Sequence, residues 1–100
     1  MTEKLEMWVR MAKRNILRYL EQVGQCERKE LEGYVLNLLN RRETREGRVI
    51  HETKPIHVLA FVVAHKRLEM EQRIKIKRSS SLPFPVTDFK SVFVLVEGET

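Results

Sequence analysis

Residues 55–72, PIHVLAFVVAHKRLEMEQ, carry apolar side chains around most of a helical circumference. At about 100° per residue, Ile56, Val58, Leu59, Phe61, Val62, Val63, Leu68 and Met70 fall on nearly every side. A surface helix needs only one apolar stripe, whereas a helix that is apolar all round is normally buried. Whatever fold the chain adopts, it has to place this segment centrally and pack the remaining elements around it. Pro55 is suited to a first helical turn, and Thr53 is the expected cap.

The flanking segments supply the rest of one domain spanning residues 1–100. Residues 3–23 read as an amphipathic helix, with Leu5, Trp8, Val9, Ala12, Ile16, Tyr19, Leu20 and Val23 on one arc. Gly24 follows where a left-handed C-terminal cap belongs. The outer arc mixes Met7 and Met11 with Lys4, Arg10, Arg14 and Arg18. A second helix is expected over 27–39, with Leu31, Val35 and Leu38 inward and Tyr34 beside them. Residues 40–55, NRRETREGRVIHETKP, break the pattern and read as a loop with a short strand at 48–51. Beyond the third helix, RIKIKR at 73–78 alternates charged and apolar residues as a strand does, and SVFVLVE at 91–97 supplies its return. The stretch between holds three serines and two prolines, the composition of an extended hairpin tip. The expected class is α+β, in the order helix, helix, helix, hairpin 73–97.

That order resembles the winged helix-turn-helix superfamily of prokaryotic, archaeal and viral transcriptional regulators. ILRYLEQVGQCERKELEGYVLNLL is similar to its first two helices, with a glycine stop and a short polar link between them. HKRLEMEQRIKIKR is similar to a recognition helix that runs into the first wing strand, and SVFVLVE to the returning strand. The resemblance covers most of residues 12–97 and implies a double-stranded DNA-binding regulator that dimerises through a terminal helix. On that basis Met7, Met11 and Leu17 are the expected homodimer interface. His57, His65, Lys66 and Arg67 are the polar side chains of the third helix placed to approach a major groove.

Charge points to the same class of partner. The net charge is +5, and no acid occurs between Glu71 and Asp88, so Arg73, Lys75, Lys77 and Arg78 lack a nearby carboxylate in sequence. Alternate residues of a strand face the same way at roughly 6–7 Å spacing, which suits a row of phosphates. Arg41, Arg42, Arg45 and Arg48 form a second basic group, diluted by Glu43, Glu46 and Glu52. Catalysis and metal binding find little footing. His51, His57 and His65 have no i, i+3 or i+4 partner, and Cys26 is the only cysteine. There is no glycine-rich phosphate loop. No cofactor is expected. A lone cysteine, no secretory leader and no long apolar run suggest a cytoplasmic setting away from membranes. The competing expectations are a winged-helix protein-interaction module and an RNA-binding component of a ribonucleoprotein.

Overall fold

The computed structural model describes residues 3–78 and 91–96. Helix α1 (Glu3–Val23) turns Val9, Ala12, Ile16 and Leu20 inward, and all four are fully buried. Gly24, at φ 82°, stops it, and its N–H donates to the Leu20 carbonyl at 2.7 Å. A Cβ is strained at such an angle, so the glycine is required by the turn itself. Strand β1 (Gln25–Glu27) comes next, then α2 (Arg28–Leu39). Strands β2 (Arg41–Glu43) and β3 (Val49–His51) form a hairpin of their own, and α3 (Pro55–Met70) follows. Strands β4 (Ile74–Arg78) and β5 (Ser91–Leu95) complete an antiparallel sheet of order β1–β5–β4. The described residues are therefore α+β, with three helices and a small antiparallel sheet beside a separate two-stranded ribbon.

Register explains which sheet face is dry. Cys26, Phe93 and Ile76 lie in one row across the three strands and face the helices. The neighbouring rows, Gln25–Val94–Lys75 and Glu27–Val92–Lys77, face the other way. The core joins that dry row to the inner faces of the helices through Phe61, Leu68, Leu31 and Val35.

Several boundaries differ from expectation. The polar link 25–27 is a strand, too short for its alternation to register in sequence. The short strand expected at 48–51 is present as Val49–His51, but the rest of residues 40–55 is not a plain loop: Arg41–Glu43 pairs with that strand, and Gly47 at φ 81° closes the tip. Leu38 is exposed and Leu39 takes the inward position on α2. Thr53 does not cap α3. Its hydroxyl instead accepts from Asn40 Nδ2 at 2.7 Å, while Asn40 Oδ1 lies 2.9 Å from His51 Nδ1. Asn40 is buried, and this network ties the base of the ribbon to the start of α3. The residue before α3 is Lys54, whose backbone N–H donates to His57 Nδ1 at 3.1 Å.

The end of α3 also falls short of residue 72. The Arg73 N–H donates to the Leu68 carbonyl at 2.9 Å and the Gln72 N–H to the Glu69 carbonyl at 3.0 Å. This pair of bonds is a Schellman cap, which wants a left-handed residue in the position that Gln72 occupies at φ 60°. Glycine fits that conformation without the penalty a side chain meets. Gln72→Gly should stabilise the fold by about 0.5–1 kcal/mol and raise the melting midpoint by roughly 2–8 °C. Calorimetry checks this, and a lowered midpoint contradicts it.

Candidate nucleic-acid interface

β4 divides its side chains as strand geometry requires. Ile74 is 1% exposed and Ile76 half-buried, whereas Lys75 and Lys77 are exposed, as is Arg73 just before the strand. None of these three cations forms a salt bridge among the described residues. The acid that precedes them, Glu71, accepts instead from Lys13 Nζ at 2.8 Å. Arg78 ends β4 opposite Ser91, but its side chain lies outside the described residues, as does the hairpin tip 79–90.

The third helix is placed differently from the expectation that it carries base-reading groups. His57 and His65 are buried, each 5% exposed, so neither reaches solvent, let alone a groove. His57 stacks edge-on against Trp8, with ring centroids 4.7 Å apart, and its Nδ1 is occupied by the Lys54 amide. His65 sits between Phe61 and Phe93, at 5.3 and 5.4 Å, and neither ring nitrogen finds a hydrogen bond among the described residues. Burial, reinforced by Arg28 and Lys66, pushes its pKa down to about 4. His57 is lowered as well, mainly by burial and then by Lys54. Both rings are neutral core groups.

Arg67 is also committed. Its guanidinium grips Glu6 of α1 through two bonds, at 2.9 and 2.8 Å, and this holds the Glu6 carboxyl below the ordinary range. Lys66 alone of the four expected groups remains exposed on α3 without a salt bridge among the described residues. Exposed on the same helix are Val58, Leu59 and Met70, the last 82% exposed. The outward face of α3 is thus largely apolar, against the reading of a helix buried on all sides. Helical wheels show how much apolar surface a segment has, but not how many neighbours exist to cover it.

The ribbon β2–β3 presents Arg41, Arg42 and Arg48 to solvent, with Arg45 at its tip. Arg42 is partly offset by Glu52 at 3.6 Å. The ribbon enters α3 at its first turn and β4 leaves at its last. The two basic segments are therefore joined to opposite ends of a 16-residue helix about 24 Å long.

Of the expected dimer residues, Met7 and Met11 are exposed on α1, while Leu17 packs against the core and offers less to a partner. Cys26 is buried, and burial followed by Glu30 pushes its thiol up to about 11, leaving little thiolate at neutral pH. Among the described residues no three His, Cys, Asp or Glu side chains converge as a metal site, and no helix is long and apolar enough to cross a membrane. No protein-family model, curated protein or solved structure matches the chain.

Proposed function

We propose that the chain is a winged-helix protein that binds double-stranded DNA chiefly through the phosphate backbone, with β4 as the first strand of its wing. The carrying observation is the row Arg73, Lys75 and Lys77, exposed on one side of β4 and without a salt bridge among the described residues. Paired charges gain little from a phosphate because they must first give up their partner; unpaired ones release counterions directly. The arginines of the β2–β3 ribbon are the secondary contacts. With both histidines in the core and Arg67 bound to Glu6, α3 offers few donors to base edges, so binding discriminates weakly between sequences. A role in transcription regulation then rests on occupancy of the backbone more than on an operator. A homodimer through Met7 and Met11 presents the row twice.

The test is an anisotropy titration of random duplex DNA across a salt series. Three phosphate contacts per protomer give a slope of log K against log salt of about −3, or about −5 if a two-fold dimer engages the duplex. Duplex RNA and single strands run in parallel, since duplex RNA displays a comparable phosphate density and separates the RNA-binding alternative. A flat salt dependence, or no binding at low salt, overturns the proposal.

One observation favours a second reading. The apolar outward face of α3, with Val58, Leu59 and Met70 exposed, is a better surface for a protein than for a groove. Under that reading the domain is a protein-interaction module and its cations serve solubility. Leu59→Glu separates the two, because it leaves duplex affinity within about threefold if phosphates carry the binding.

A further inference from the structure

Among the described residues the outer edge of β4 has no neighbouring strand, because β4 ends the sheet order β1–β5–β4. Hydrogen bonding shows which of its peptide groups face outward. The Val96 N–H donates to the Arg73 carbonyl at 3.0 Å, while the Leu95 N–H is directed to the Gly24 carbonyl on the far side of β5, at 3.5 Å. In an antiparallel ladder this alternation continues, so Lys75 and Lys77 turn their peptide groups toward β5. The N–H and C=O groups of Ile74 and Ile76 consequently point away from the sheet. A groove of about 430 Å³ at β4 is lined by Ile74, Lys75, Ile76, Lys77 and Val96 and by Glu69 at the end of α3.

We infer that this edge takes up an extended peptide as an additional strand, and that the peptide alternates acidic with apolar residues. The amides and carbonyls of Ile74 and Ile76, which have no partner among the described residues, supply the backbone pairing on which strand addition depends. Alternate side chains of the incoming strand fall on opposite faces. One set meets Lys75 and Lys77 on the open face of the sheet, which selects acids. The other set falls on the face of Ile74 and Ile76, of which Ile76 is only half-buried, and this selects apolar groups. Glu69 repels an acid at the α3 end and so fixes where along the groove the acids sit. A second copy of β4 is a poor occupant, since two-fold pairing sets its own lysines against one another. The inference does not need the nucleic-acid reading, although both use Lys75 and Lys77, so peptide and duplex compete for the edge.

Amide hydrogen exchange on the full chain, followed by NMR, tests this with an octapeptide of alternating glutamate and valine. At free peptide near ten times its Kd, exchange at Ile74 and Ile76 should slow about tenfold. A peptide of alternating lysine and valine should not do this, nor should one with its four glutamates and four valines in separate blocks. Lys75→Glu with Lys77→Glu should reverse the preference, so that the lysine–valine peptide now protects the edge. The inference is overturned if the glutamate–valine peptide does not bind, protects neither Ile74 nor Ile76, or binds no better than the block peptide. Duplex binding without peptide uptake sinks this inference alone; peptide uptake without duplex binding sinks only the proposed function.

Discussion

Combining Lys75→Glu with Lys77→Glu should abolish duplex binding while leaving the melting midpoint within a few degrees of the parent. Both side chains lie on the solvent face of β4, flanked in register by Val94 and Val92 and then by Gln25 and Glu27. The core-facing positions, Ile74 and Ile76, are untouched, and exposed substitutions of this kind typically change stability by about 0.5 kcal/mol or less each. Binding responds far more strongly, because each reversal removes a counterion-releasing contact and adds a repulsion at the same phosphate. At about 50 mM salt the loss should reach at least ~100-fold, and the neutral pair Lys75→Gln with Lys77→Gln should flatten the salt slope by about 2. Anisotropy titration and a thermal melt on the same samples read both quantities. Unchanged affinity moves the nucleic-acid surface to Arg41, Arg42, Arg45 and Arg48. Marked loss of stability, by contrast, means the two lysines support the fold as well as the surface.

The alternation that made this strand legible in sequence is also what failed elsewhere. Period-two charge in RIKIKR survives translation into structure because β4 is long enough for two apolar and two cationic positions to declare opposite faces. Gln25–Glu27 has one inward residue, Cys26, and Arg41–Glu43 has none, since all three of its residues are exposed. Neither strand leaves a pattern to find; each exists because a partner strand supplies its hydrogen bonds. Helix ends were readable where chemistry is distinctive, at Gly24 and Pro55, and missed where an atypical residue does the work, as Gln72 does in the Schellman cap.

The histidines of α3 mark a deeper limit. In sequence they are the polar groups on an apolar helix, which makes them look functional. In space, the inward side of α3 runs through His57, Ala60, Phe61, Ala64, His65 and Leu68, while Val58, Leu59 and Met70 face out. A wheel drawn for α3 alone does not distinguish those sides, because its hydrophobic residues point in no preferred direction. The deciding term is tertiary: Glu6 and Trp8 of α1 fix the rotation of α3 by holding Arg67 and His57.

Acid should therefore destabilise the fold over a defined interval, with His65 as the main cause. Its folded pKa lies near 4 against an ordinary 6.5 when unfolded, so between those values the unfolded chain binds the proton and the folded chain does not. Stability contributed by the neutral ring is complete above pH 6.5, falls as pH drops, and levels off below about 4. The interval corresponds to about 3 kcal/mol at full extent, an order-of-magnitude figure for a buried ring. His57, also lowered, adds to the decline in the same direction. His65→Leu separates the contributions. It keeps an apolar side chain between Phe61 and Phe93 and removes two buried nitrogens without hydrogen bonds, each of which costs about 1 kcal/mol or more while left unpaired. The variant should be more stable than the parent at pH 7 by roughly 1–2 kcal/mol, and more so at pH 5, where the parent has lost part of its margin. Urea melts at a series of pH values measure both. A variant that is less stable at pH 7, or whose decline between pH 6.5 and 4 matches the parent's, would show that the ring is paired in solution and returns His65 to the list of groups that can meet a ligand.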